Sequence, residues 1–272
     1  MKHLYVSDLD GTLLTPAATV SPRTGELLTA LMEAGLCFTV STARSPFSVR
    51  MVGLEKIPLR LPVSLLNGVM LYDLNEDKVL SAVPLPEVDE VVALCAAAGK
   101  SPLVFRVEEG VLIVDYTVAE TPEEQEFLEA RRSRFPQNYR RLERHTEGKG
   151  AVFVSVQDRF EVLQPVYEAL CRRDKWHVSF YKDGYTADTW FLEVSGKDGG
   201  KDSSLLRLKA LVGADRVTAF GDNHNDLPML RVADEAIAVS NATAEVKAAA
   251  GQVIGANTED GVAEYLKEVF AL

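Results

Sequence analysis

Over the first eighty residues, short apolar runs alternate with capped helical segments, and this alternation limits the fold more than any other feature of the chain. Residues 3–7 predict a short strand. Ser21-Pro22 then opens a helix, a cap residue followed by proline in the first turn. Leu27, Leu28, Leu31 and Met32 give that helix its apolar stripe, and Gly35 ends it. Residues 36–41 predict a second, buried strand. Ser45-Pro46 opens a further helix, and residues 62–66 predict a third strand. A βαβαβ order of this kind implies a parallel sheet with helices on its faces.

The pattern changes near Pro84 and Pro86. Val88, Val91, Val92 and Cys95 mark a helix that stops at Gly99. Residues 103–107 and 111–116, joined around Glu109-Gly110, predict a hairpin. Thr121-Pro122-Glu123-Glu124 has the capping-box pattern of a charged helix. A strand is expected over 151–156, a helix within 159–173 despite Pro165, and a last hairpin from 176–181 and 189–194. After Gly200 the α/β alternation returns, with strands over 217–220 and 236–239 and helices over 205–211, 227–232, 244–250 and 261–270. The reading is an α/β, Rossmann-like core with a parallel sheet, formed by residues 1–83 and 190–272. Residues 84–189 form an inserted α+β module. The 272 residues, 47% of them hydrophobic, suffice for a core in each part.

A net charge of −11 disfavours nucleic acid and anionic membranes as partners, though it leaves room for an anionic small substrate at a locally positive site. Cys37, Cys95 and Cys171 are far apart and form no C-x-x-C pair, which suits a reducing compartment. The stretch MKHLYVSDLDG reaches carboxylates too early for a secretory signal. No apolar run approaches the roughly 18 residues of a membrane span. The expected location is the cytoplasm, and the oligomeric state is not legible.

Asp8-Leu9-Asp10-Gly11-Thr12 directly follows the first strand, and in open α/β sheets ligands sit beyond the carboxyl ends of strands. While the chain stays extended, Asp8 and Asp10 project to one side. Two such carboxylates repel and favour a cation, and Mg2+ takes oxygen ligands beside phosphates. One carboxylate could attack phosphorus while the other moves a proton to or from the leaving oxygen. A plain surface turn is the competing reading. Gly221-Asp222-Asn223-His224-Asn225-Asp226 also follows a buried strand. There Asp222 could complete a metal shell, Asn225 could bond a phosphate oxygen, and Asp226 could orient metal-bound water or a neighbouring lysine. An N-cap cluster would explain Asp226 alone. Thr42, Ala43 and Arg44, ahead of Ser45-Pro46, lie at a strand-to-helix junction able to hold phosphate. Lys197 and Lys201 both stand where a lysine could offset the carboxylates.

Taken together, D-x-D-G-T, Thr-x-Arg, a lysine and G-D-x-x-N-D resemble the haloacid dehalogenase (HAD) superfamily, with an insertion like its C2-type (C2B) cap. Leu66-Asn67-Gly68, Lys201-Asp202-Ser203-Ser204-Leu205 and Asn241-Ala242 before Val246-Lys247 are similar to its Cof-like branch. The resemblance implies Asp8 as nucleophile and Mg2+ ligand. It implies Asp10 as general acid/base, with its carbonyl on the metal, and Asp222 as the third ligand, with Asp226 behind them. Thr42, the Leu9 and Ala43 amides, Lys201 and Asn225 would hold the phosphoryl group, and Arg44 and Asn67 would face the substrate. The Lys-x-x-Ser-Leu helix start favours Lys201 over Lys197. Ala43 stands where the family usually has glycine. The implied activity is a Mg2+-dependent phosphatase acting on small phosphorylated metabolites through an aspartyl-phosphate, sugar phosphates first, with pyridoxal phosphate and flavin mononucleotide as further candidates. A phosphomutase of the same fold, a non-catalytic phosphometabolite binder and a structural partner protein are the alternatives. Tyr181, Lys182, Asp183, Tyr185 and Trp190 either face the leaving group or are surface residues of the last hairpin.

Overall fold

The computed structural model describes residues 1–119, 121–145, 148–182 and 188–271. They fold into two compact units, Met1–Leu80 with Gly200–Leu272, and Ser81–Gly199. In chain order the first unit begins with β1 (His3–Ser7), α1 (Pro22–Glu33), β2 (Cys37–Val40), the four-residue α2 (Pro46–Val49), β3 (Val63–Leu65), β4 (Met70–Asp73) and β5 (Lys78–Ala82). Ser21 caps α1 by accepting from the Thr24 backbone N–H, as the Ser-Pro signal predicts.

The second unit holds α3 (Val88–Ala97), β6 (Leu103–Glu108), β7 (Val111–Tyr116), α4 (Pro122–Arg132), β8 (Tyr139–Arg141), β9 (Ala151–Asp158), α5 (Phe160–Cys171), β10 (Trp176–Lys182) and β11 (Trp190–Gly196). The expected capping box forms, with Thr121 and Glu124 each satisfying the other's backbone N–H. The six strands make one mixed sheet in the order β10-β11-β9-β6-β7-β8, antiparallel except for the parallel β7–β8 pair. One face of this sheet packs on α3 and α5 around Val91, Val154, Leu163, Leu170 and Leu192, all of them buried. Burial of each such side chain contributes roughly 1.5–3 kcal/mol. α5 runs through Pro165 without ending.

The chain then completes the first unit with α6 (Lys201–Val212), β12 (Arg216–Gly221), α7 (Leu227–Val232), β13 (Glu235–Val239), α8 (Ala244–Ala249), β14 (Gln252–Ile254) and α9 (Gly261–Phe270). Its five-stranded sheet is parallel throughout, in the order β14-β13-β12-β1-β2. Tyr5 and Phe220 meet Phe270 and Tyr265 of α9 edge to face. β1 is where the strand order turns. The chain goes from β1 to β2 on one side and later adds β12, β13 and β14 on the other, which is where open α/β sheets place ligands.

Three features differ from expectation. The third strand, β3, joins the parallel sheet among the described residues by a single parallel bridge, Ser41 to Ser64, with the Thr42 N–H donating to the Ser64 carbonyl at 2.9 Å, and its ladder is instead antiparallel with β4. β11 belongs with the inserted sheet, so the return to the first unit falls at Gly200 instead of residue 190. Seven residue pairs join β11 to β10, and this hairpin holds it there. The short strands β4, β5, β8 and β14 have no counterpart among the strands expected from the sequence. Asp183 and Tyr185 lie outside the described residues. Trp190 packs against Phe160 and Phe180, while Tyr181 donates to Glu193 at 2.9 Å. Among the described residues no helix is long and apolar enough to cross a membrane.

Gly68 carries a φ of +94°, and a Cβ there would lie 2.1 Å from the Gly200 carbonyl oxygen. The loop after β3 can therefore lie against the start of α6 only with glycine at this position. Gly68→Ala should cost more than about 1 kcal/mol in thermal or urea unfolding, because strain at positive φ adds to the clash.

Candidate active site

β1 stops at Ser7, where Asp8 donates its N–H to the Phe220 carbonyl at 3.0 Å. The chain then turns, and the Leu9 carbonyl accepts from Leu13 at 3.0 Å and Leu14 at 2.8 Å. On the neighbouring strand the register Ser7↔Phe220 brings Gly221 and Asp222 alongside Asp8. Asp8, Asp222 and Asp226 consequently gather with one ligand oxygen each within 4.8 Å of the others.

Lys201, at the first position of α6, enters the same group. Its Nζ lies 2.6 Å from Asp8 Oδ1 and 2.6 Å from Asp226 Oδ1. Lys201 is only 2% exposed and Asp226 fully buried, so solvent does little to weaken these pairs. Burial alone would lower the Lys201 ammonium, but the charges of Asp226 and Asp8 hold it above its ordinary value. Burial, then the Asp226 charge, raises the Asp8 carboxyl against the pull of Lys201. Burial, again with Asp226, pushes Asp222 up to about 6. Lys197, the other candidate lysine, pairs with Asp174 in the second unit.

The oxygens of Asp226 are taken. Oδ1 accepts from Lys201, and Oδ2 accepts from the backbone N–H groups of Asp222 at 3.0 Å and Asn223 at 3.1 Å. Asp226 therefore both holds the lysine and caps the turn, two roles that the sequence offers as alternatives. Asp222 Oδ1 accepts from the Thr12 hydroxyl at 3.0 Å, which leaves its Oδ2, like Asp8 Oδ2, without a hydrogen-bond partner among the described residues. Three carboxylates against one ammonium leave an excess of negative charge, and the open donors are hard oxygens. This set fits a divalent oxygen-seeking metal ion, with Asp8 and Asp222 as ligands and Asp226 behind them.

Asp10 stands apart from the cluster. The chain does not stay extended past Ser7, and the Asp10 side chain goes instead to Arg44. The guanidinium donates from Nε to Oδ2 at 2.7 Å and from Nη2 to Oδ1 at 2.6 Å. Neither composition nor spacing signals this pair. The Thr42 hydroxyl accepts from the Arg44 N–H at 3.2 Å, and Ser45 caps α2. The N–H groups of Leu9 and Ala43 make no hydrogen bond among the described residues, so both remain available as donors. Asn67, in left-handed backbone, donates its N–H to Thr42 O at 3.0 Å and accepts from Asn225 Nδ2 at 3.2 Å. His224 turns away from the carboxylates and faces Glu245 at 3.0 Å.

Two serines that the motifs do not single out, Ser41 and Ser64, tie these pieces together. Ser41 donates to Ser64 at 3.1 Å, Ser64 to Ser204 at 2.8 Å, and Ser204 to the Lys201 carbonyl at 3.0 Å. Ser204 sits in the Lys-x-x-Ser-Leu helix start, but its partner is 140 residues away in the chain.

Two outcomes follow from the charges. Lys201→Met leaves two buried carboxylates unpaired and should destabilise the protein by about 3–5 kcal/mol in urea unfolding. Metal affinity should fall with acidity. Above about pH 6 Asp222 is ionised and ready to bind. Below it the metal must displace a proton from Asp222, and the raised Asp8 carboxyl adds to this, so affinity measured by calorimetry should drop at least about tenfold per pH unit.

Comparisons with known proteins identify the family. A sequence profile of the haloacid dehalogenase-like hydrolases matches residues 5–266. The pyridoxal phosphate phosphatase YbhA of Escherichia coli is 30% identical over 272 residues, covering 95% of each chain. The 5-amino-6-(5-phospho-D-ribitylamino)uracil phosphatase YitU of Bacillus subtilis is 25% identical over 280 residues, covering 99% of this chain and 98% of its own. A solved haloacid dehalogenase-like hydrolase of Bacteroides thetaiotaomicron has the same fold, with a TM-score of 0.78 and 24% identity over 99% of this chain and 100% of its own. The chain belongs to the haloacid dehalogenase-like hydrolases, in their Cof-like branch, and is a phosphatase of that superfamily.

Proposed function

We propose that the chain is a Mg2+-dependent phosphatase that removes phosphate from phosphomonoesters of small metabolites through an aspartyl-phosphate on Asp8. The observation that carries this reading is the buried Asp8 carboxylate, 4% exposed, set beside Lys201 and open on its second oxygen. Both relatives described above are named for small phosphorylated metabolites, a pyridoxal phosphate and a ribitylaminouracil phosphate. Sugar phosphates belong to the same chemical class and stand with these among the candidate substrates.

Asp8 and Asp222, with the Asp10 carbonyl, would hold Mg2+, which when bound supplies charge neutralisation for the phosphate oxygens. Asp8 attacks phosphorus in line, and the bond from phosphorus to the ester oxygen breaks. Asp10 gives its proton to the departing alcohol oxygen. Asp10, now ionised, then takes a proton from water, whose oxygen attacks the phosphorus of the aspartyl-phosphate. Phosphate leaves, and Asp8 and the protonated Asp10 are restored. Lys201 offsets the charge of Asp8 and of the transferring group. Thr42, Asn225 and the Leu9 and Ala43 amides hold the phosphoryl oxygens. Asn67, held by Asn225 and Thr42, lines the same edge. Arg44 donates to both Asp10 oxygens in the structure and so pairs with the ionised carboxylate; as the ester enters, this pair opens, the guanidinium faces the substrate, and Asp10 is free to carry a proton.

The test is phosphate release from an aryl phosphate, a panel of sugar phosphates and pyridoxal phosphate, with Mg2+ and with excess chelator. Turnover should need Mg2+. It should fall by at least about 10³-fold in Asp8→Asn, because the nucleophile is gone while the geometry is kept. Asp10→Asn should lose about 10²–10⁴-fold. Folded, metal-loaded protein that releases no phosphate from any ester, yet turns over once a sugar bisphosphate is added, would replace this reading with a phosphomutase.

A further inference from the structure

Asn241-Ala242, after β13, takes no part in the chemistry proposed above, yet its contacts converge on the metal-binding carboxylate. Asn241 Nδ2 donates to the Gly11 carbonyl at 2.7 Å, and Oδ1 accepts from the Asn257 N–H at 3.0 Å. Asn257 in turn donates from Nδ2 to the Leu14 carbonyl at 2.8 Å. The segment after the nucleophile is therefore pinned at two carbonyls from one side. Two residues on, the Thr243 N–H donates to the Asp222 carbonyl at 2.9 Å. The turn after β13 thus grips both loops that carry metal-site carboxylates.

The Gly11–Thr12 peptide is the link. Gly11 has a φ of +80°, and its Cα faces Asp222 so closely that a Cβ would lie 2.3 Å from Oδ2. Thr12 Oγ1 donates to Asp222 Oδ1 at 3.0 Å. On this side of the Asp222 carboxylate the bordering groups, Gly11 Cα and the Thr12 hydroxyl, belong to residues joined by the peptide whose carbonyl Asn241 holds. We propose that Asn241 is a positioning residue that fixes Asp222 for metal binding by clamping the Gly11–Thr12 peptide. Once that clamp is lost the peptide turns, the Thr12 hydroxyl leaves Oδ1, and the carboxylate spreads over orientations that a metal ion must select among. Groups that orient metal ligands in this way commonly control affinity by about 10–100-fold. The inference rests on the reading of Asp8 and Asp222 as metal ligands.

The experiment measures Mg2+ binding by calorimetry, and Mn2+ binding by electron paramagnetic resonance, without substrate. It compares the parent, Asp222→Asn, Asn241→Ala, Thr12→Val and the Asn241→Ala/Thr12→Val double variant. Asn241 is exposed, so truncating it opens no core cavity, and melting in chelator should fall only slightly, by what two lost hydrogen bonds contribute. Should Asn241→Ala melt early, Asn241→Ser, too short to reach Gly11, replaces it in the same comparison. Asp222→Asn should abolish or severely weaken binding. Asn241→Ala should weaken it about tenfold. The double variant should be little weaker than the weaker single one, because both changes act on one carboxylate through one peptide. In assays at saturating Mg2+ the ester KM should stay near that of the parent. Unchanged metal affinity in the Asn241 variant, or losses that simply add in the double variant, would overturn the clamp. Full affinity in Asp222→Asn would overturn the ligand assignment and the clamp with it.

Discussion

The buried contact of Lys201 with Asp8 and Asp226 is the interaction on which the rest of the first unit depends. Taking three charges out of water costs several kcal/mol for each, and only close pairing returns it. The two 2.6 Å contacts provide that pairing, but only while the end of β1, the turn after β12 and the start of α6 stay in register. The serine thread from Ser41 through Ser64 and Ser204 to the Lys201 carbonyl holds the helix start in place without adding charge. A parallel sheet suits this task, because its strand ends all release the chain at one edge. Asp8, Thr42 and Asp222 come from β1, β2 and β12, adjacent strands of one sheet.

The two aspartates of the first motif show how surroundings separate like side chains. Asp8 is enclosed and shares an ammonium with Asp226. The Asp10 side chain is 42% exposed and is met by the planar fork of Arg44. A carboxylate held in the interior beside a lysine suits attack on phosphorus. One at the edge, open to water and paired with a partner that can be released to the substrate, suits the movement of protons. The turn that begins after Ser7 produces this difference. Had the strand run on, both carboxylates would have faced the same cation.

Much of this architecture is legible in the amino-acid sequence alone. The Ser-Pro helix starts at Ser21 and Ser45, the capping box at Thr121 and the strand before Asp8 are local signals, and local signals survive folding. The motif residues are legible because they follow buried strands directly. What stays hidden is long-range or short. Tyr139-Arg140-Arg141 makes an edge strand with two exposed arginines and has no apolar alternation to read. β3 matches a buried strand by composition, yet composition does not choose between a parallel and an antiparallel neighbour. The end of the insertion falls ten residues beyond its expected place, although the hairpin that settles it is itself legible, because β11 resumes an apolar run just before the core returns. The Arg44–Asp10 pair and the Ser64–Ser204 bond join residues 34 and 140 apart, and no spacing rule reaches them.

The hidden contacts share a physical logic. The loops around the cluster are held largely by neutral amides and hydroxyls that bond backbone carbonyls or one another: Asn241 on Gly11, Asn257 on Leu14, Asn225 on Asn67. A charged strut in any of these places would shift the balance among Asp8, Asp222 and Asp226, since each already feels its neighbours through a poorly screened interior. Neutral groups fix geometry at a lower desolvation cost and leave the net charge of the cluster to its carboxylates and Lys201. The excess of negative charge that suits a divalent cation can therefore be kept while the surrounding loops are tied down, because geometry and charge are set by different residues.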